Sequence, residues 1–191
     1  MRGRAIQSPC SVAWLDLCCG KGRALAEAAG RLAEDGLAGK AELVGVDLID
    51  GFVRCPPGPA APTLIAASVA DWQPRRAFDL ITCVHGLHSV GDKLALLTRA
   101  LSSLTPAGLF VADLDVDGIR LAVGGAPTGR RVTRLLRAHG VAYDARRHRV
   151  RCVGRRELRL PVRYLGADDR GGPNYTGQPS VTSYYTFDAS R

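Results

Sequence analysis

The chain has 191 residues, 46% of them hydrophobic, and 26 Lys and Arg against 18 Asp and Glu, a formal net charge of +8. That length and apolar content give one folded domain with a buried core and exclude a disordered or low-complexity chain. No apolar run approaches the roughly 18 residues of a membrane span, and the opening MRGRAIQSPCSVAW has no signal-peptide core, so a cytoplasmic location is expected, with no membrane partner.

Val12–Cys18 reads as a buried strand that runs into Cys18, Cys19, Gly20 and Gly22. Alanines and leucines at helical spacing then predict a helix over 22–35, ending before Gly36. Leu43–Val46 is a second buried strand, closed by Asp47. CPPGPAAP is a surface loop, because proline removes donors and fixes the backbone. TLIAAS, FDLITCV and GLFVADL are further strands, with a helix over 92–104 between the last two, capped by Asp92 and closed by a TPAG turn. This order predicts an α/β fold: a single doubly wound, mostly parallel sheet of the seven-stranded type in a three-layer sandwich. After Asp117 the pattern turns antiparallel. A helix over 128–139 precedes a hairpin in VAYDARRHRVRCV, and RRELRLPVRYL alternates like a strand with one solvated face. A polar loop over 166–180 leads to a last strand, SYYTF. No repeat or linker divides the chain, so residues 1–191 form one domain.

Charge is uneven: residues 1–120 carry 12 basic against 13 acidic side chains, residues 121–191 carry 14 against 5. This permits nucleic acid as a partner, although arginine-rich usage runs through the chain and a solvated face is the plainer reading. The six cysteines, Cys10, Cys18, Cys19, Cys55, Cys83 and Cys152, include no C-x-x-C pair; they are expected reduced and semi-buried, with no metal bound.

In an open α/β sheet, ligands lie beyond the carboxyl ends of the strands. Asp16, Asp47 and Asp71 sit at or just after such ends. A carboxylate at Asp47 offers two acceptor oxygens to the two hydroxyls of a ribose. The first turn, DLCCGKG, is neither G-x-G-x-x-G nor a Walker lysine loop, which favours a nucleoside without phosphates to cradle.

Asp16 to Gly22 resembles the first motif of the class I S-adenosylmethionine-dependent methyltransferases, D-x-G-x-G-x-G, with Cys18 where the family usually has its first glycine. SVADWQ, FDLITCVHGLH and LLTRALSSLTPAGLFVADL resemble later motifs in the family's order, Ala107 replacing one glycine of the last; the resemblance covers about residues 12–116. It implies a cofactor-binding half over 12–116 and a substrate side over 117–191. Small residues at Cys18, Cys19, Gly20 and Gly22 would make room for the methionine part of the cofactor, with turn amides on its carboxylate and Asp16 near its ammonium. Asp47 would hold the ribose and Leu48 pack on adenine. Asp71 would take the adenine amine, with Trp72 alongside and Val84 at the fourth strand's end.

The methyl acceptor is expected over the fourth and fifth strand ends, near His85, Gly86, His88, Asp113 and Asp115. His88 is the first choice for general base, with His85 beside it; an H-x-x-H metal pair lacks a third ligand. Few residues precede the first strand, so cover is expected from the loop over 166–180, with Asn174 and Tyr175, or from a homodimer partner. A small-molecule O- or N-methyltransferase is therefore expected. The alternatives are an RNA methyltransferase using the arginine-rich third and a cofactor-binding protein without methyl transfer.

Overall fold

The structure, a computed structural model, describes residues 11–124 and 126–187; Cys10 lies outside them. The main sheet is built from β1 (Val12–Leu17), β2 (Ala41–Asp47), β3 (Thr63–Ala66), β4 (Phe78–Cys83), β5 (Leu104–Asp113), β7 (Ala142–Asp144) and β8 (Arg149–Val153). Their order is β3-β2-β1-β4-β5-β8-β7, with β3 to β5 parallel and β8 antiparallel to both neighbours. The predicted hairpin is β7–β8. Strand order reverses beside β1, which pairs with both β2 and β4. Right-handed crossovers leaving the centre in opposite directions place α1 (Arg23–Glu34) and α2 (Lys93–Ser102) on opposite faces.

The central strands β1, β2 and β4 are largely apolar because both of their faces are mostly covered. Leu15, Val46, Ile81, Phe110 and Ala112 are at most 1% exposed. Helix α1 buries Leu25 and ends in a paired cap: Gly36, at φ 69°, donates to the Ala33 carbonyl and Leu37 to that of Leu32. Only glycine adopts that φ without strain. Asp92 caps α2 as expected, accepting from the Ala95 amide at 3.0 Å.

Two expectations are corrected. TPAG is not a turn outside the sheet; it lies within β5, where the partner register jumps from Phe78↔Leu104 to Leu80↔Leu109. The extra residues loop out as a wide irregularity, and Gly108 passes so close to Phe78 that a Cβ would lie 2.7 Å from its carbonyl oxygen. Second, the C-terminal strands do not extend the main sheet. β6 (Ile119–Leu121), β9 (Val162–Asp168) and β10 (Thr182–Phe187) form a separate sheet in the order β6-β10-β9. Residues 155–161, assigned above to a strand, precede β9 outside any element.

The small sheet is anchored to the start of α2. Buried Tyr185 donates to Asp92 Oδ1 at 2.9 Å and accepts from the Leu94 amide. Lys93, 1% exposed, donates to the carbonyls of Val90 and Val181 and to Ser183 Oγ. Burial pulls its pKa down to about 8. Because α2 begins just beyond β4, these contacts set the small sheet at the carboxyl end of the main one. Among the described residues no helix is long and apolar enough to cross a membrane.

Candidate functional site

A crevice of about 390 Å3 opens at the switch point, inside the usual range for small-molecule sites. The turn after β1 supplies Cys18 and Gly20, the end of β2 supplies Asp47, Leu48 and Ile49, and the end of β4 supplies His85 and Gly86. Gly20 (φ 56°) and Gly22 (φ 74°) make the turn possible, and Cys18 takes a left-handed φ of 56° without being glycine. Asp47 holds the turn against β2: Oδ2 accepts from the Gly20 amide at 2.7 Å and Oδ1 from that of Ile49 at 3.1 Å. Each oxygen keeps acceptor capacity for a ligand hydroxyl. Leu48 and Ile49 are 75% and 71% exposed, an apolar rim that a flat ring would cover.

Asp16 lies beneath this turn, 8% exposed, accepting from Thr82 Oγ1 at 2.5 Å, which accepts in turn from Trp14 Nε1. Burial raises its pKa from 3.8 to about 6, against the opposing Thr82 hydrogen bond. The folded-state value lies above the unfolded one, so the ionised carboxylate destabilises the fold above about pH 6, and this penalty fades as pH falls towards 4. Asp16→Asn keeps an acceptor for Thr82. It is expected to stabilise the ligand-free protein by about 1–3 kcal/mol at neutral pH, a gain that shrinks on acidification, while weakening binding of any cationic group. Urea denaturation at neutral pH and at about pH 4, where the penalty has faded, and calorimetry check both halves.

The cofactor residues expected from sequence divide into groups. Cys18, Gly20, Asp47 and Leu48 line the crevice. Gly22 instead caps α1, with Leu64 filling the space where a Cβ would stand, and the Cys19 sulfur turns toward Gly45, where burial pushes its thiol up to about 12. Turn amides are largely committed within the protein, Cys19 to Val46, Gly20 to Asp47 and Gly22 to Cys19; the turn offers shape more than donors. Asp71 and Trp72 do not line the crevice. Their amides both return to the Ser68 carbonyl, a tight coil that faces Ser68, Val69 and Ala70 to the crevice. Trp72 packs instead beside Leu15, Leu17 and Leu96. Val84, 40% exposed, is likewise outside the lining. Sequence reasoning missed Ile49, Val69, Ser89 and Val90, whose only signal is their position just after elements that carry the motifs.

On the acceptor side, His85 and His88 part company. His85 lines the crevice with a left-handed φ of 58°, and its Nδ1 lies 3.7 Å from Oδ2 of buried Asp113. Asp113 is held by Arg149 Nε at 2.9 Å. His88 lies on a short 3-10 turn (Leu87–Ser89) and lines a separate 60 Å3 chamber with Lys93, Asp115, Asp117 and Arg120. Burial, then Lys93 and His85, lower its pKa. The two rings do not converge, and among the described residues no group of three or more His, Cys, Asp or Glu could hold a metal.

The loop after β9 folds back over the end of β5. Tyr175 donates its amide to Asp115 Oδ2 and stacks on His148 with ring centroids 4.1 Å apart. Asn174 is buried and serves the loop itself, its Oδ1 accepting from Thr176 and Gln178. Of the expected acceptor residues, Asp113 stands beside His85, Tyr175 lies against His148, Asp115 anchors the loop, and Asn174 organises it.

These residues fit S-adenosylmethionine on three counts: free acceptor capacity on Asp47, an uncompensated carboxylate at Asp16 below the turn, and an apolar rim for adenine. No curated protein matches the chain. Among solved structures, the plantazolicin methyltransferase BpumL, in a complex with S-adenosylhomocysteine, is 19% identical over 53% of this chain and 38% of its own, with a TM-score of 0.45. The sugar N-methyltransferase KedS8 from Streptoalloteichus sp ATCC 53650 is 25% identical over 54% and 40%, TM-score 0.38. The amino pentose methyltransferase CalS10 from Micromonospora echinaspora is 20% identical over 54% and 42%, TM-score 0.39. The chain thus covers less than half the length of each. The profile of the family described as "Methyltransferase domain" matches residues 8–160, and the chain belongs to that family.

Proposed function

We propose that the chain transfers a methyl group from S-adenosylmethionine to a hydroxyl or amine of a small molecule. The observation that carries this reading is one crevice walled by Asp47 from the end of β2 and His85 from the end of β4. Asp47 would hold the ribose hydroxyls, Asp16 would face the ammonium, and Leu48 with Val69 would flank the adenine. When bound, the cofactor supplies an electrophilic methyl and its own leaving group. The protein then has to align the acceptor and take its proton.

His85 is the group placed to take that proton. Asp113 lies on the Nδ1 side of its ring, which leaves Nε2 to accept, and Arg149 holds the Asp113 carboxylate in place.

Turnover of S-adenosylmethionine against a panel of phenols, amines and acids tests the reading; tight cofactor binding with no turnover on any acceptor class would favour a binding protein. His85→Ala is expected to lower kcat by roughly 10²–10⁴-fold with the cofactor Kd unchanged. His88→Ala, outside the crevice, is expected to have the smaller effect. The reverse order would return the role to His88.

A further inference from the structure

Helix α3 (Gly129–Ala138) carries Arg130, Arg131, Arg134 and Arg137. The spacing gathers them along adjoining turns, and all four line a groove of about 700 Å3 whose only acidic lining residue is Asp117. None of the four forms an ion pair among the described residues. Arg131 is steadied by stacking over the Phe187 ring, 4.1 Å from its centroid. The helix start adds to the positive field. Thr128 spends its hydroxyl on the Ile119 carbonyl and leaves the first turn without a side-chain cap.

The groove adjoins the acceptor side. Tyr143 lines it and donates to the Leu114 carbonyl at the end of β5, in the field of Asp115, Asp117 and Tyr175. Four like charges gathered beside a single acid repel one another, and an arginine fork matches phosphate oxygens two at a time. A single carboxylate would leave most of that charge unmet, whereas a diphosphate brings several charges on one short chain.

We propose that the α3 groove binds the phosphate groups of a phosphate-linked small molecule, which is the methyl acceptor. Its acceptor half rests on the function proposed above; phosphate binding in the groove does not.

The probe is inorganic pyrophosphate, titrated by calorimetry at low salt into the full chain. The parent is expected to bind it, and the double variant Arg130→Ala with Arg134→Ala to bind at least about tenfold more weakly, with an unchanged S-adenosylmethionine affinity and melting temperature. Since phosphate contacts release counterions, parent affinity should fall steeply as salt rises. Equal affinity in parent and variant, or no binding by the parent, overturns the groove assignment. A single-stranded RNA that binds at least about a hundredfold more tightly than pyrophosphate, dependent on the same arginines, overturns the small-molecule form. Failure of the cofactor titration with pyrophosphate binding intact would instead sink the proposed function and leave the groove standing.

Discussion

Asp47→Ala is expected to abolish measurable binding of S-adenosylmethionine while the protein stays folded. A hydrogen bond to a charged acceptor contributes about 1.5–3 kcal/mol; two ribose hydroxyls on one carboxylate therefore amount to roughly 3–6 kcal/mol, or about 10²–10⁴-fold in Kd. The substitution also releases the Gly20 and Ile49 amides. Both contacts are exposed, so water replaces the lost acceptor and the fold loses little. The released Gly20 amide frees the turn that shapes the crevice, which adds to the loss of binding. Asp47→Asn, which keeps one oxygen and no charge, should fall between the two. Calorimetry measures the affinities, and circular dichroism melts show whether the fold is kept; parent-like affinity in Asp47→Ala would remove the ribose contact and the cofactor placement with it.

The part of the fold that positions this crevice was legible in the sequence because covered parallel strands are near-continuous apolar runs. β1, β2 and β4 announce themselves, and the acids Asp16 and Asp47 at the ends of the first two follow. Asp92 as the cap of α2 was legible for a similar reason: its effect is local. The small sheet was not, since β6 is only Ile119–Leu121 and finds β10 across more than sixty residues. Only the anchoring of β10 on α2, through Tyr185 and buried Lys93, makes that pairing necessary. The histidines show a second limit. Sequence sets them side by side, but His85 stands before the 3-10 turn with a left-handed φ, and the two line separate chambers. The Ser68 turn did the same to Asp71 and Trp72: backbone curvature over a few residues decided which side chains reach the site, and no periodicity records it.

Gly86→Ala is expected to damage both the fold and the cofactor site, for a reason of space rather than backbone angle. Gly86 has φ −116°, which any residue adopts. A Cβ there would stand 2.2 Å from Cys18 Cβ, 2.9 Å from its sulfur and 3.1 Å from the sulfur of buried Cys83. Cys18 Cβ is fixed to the backbone of the turn after β1, so the ends of β1 and β4 must separate. Overpacking of this kind costs about 1–3 kcal/mol, at times more. Gly86 and Cys18 both line the crevice, and displacement of about 1 Å at such a wall can weaken its function by about a hundredfold. The partner substitution makes the argument testable. Cys18→Gly removes both closest atoms and suits a φ of 56° that strains cysteine, leaving only the Cys83 sulfur in the way. The double variant Cys18→Gly with Gly86→Ala should therefore regain most of the lost stability and affinity. Melting temperatures and cofactor titrations of the four proteins give the coupling directly, and additive losses would show that the two turns do not meet at this point.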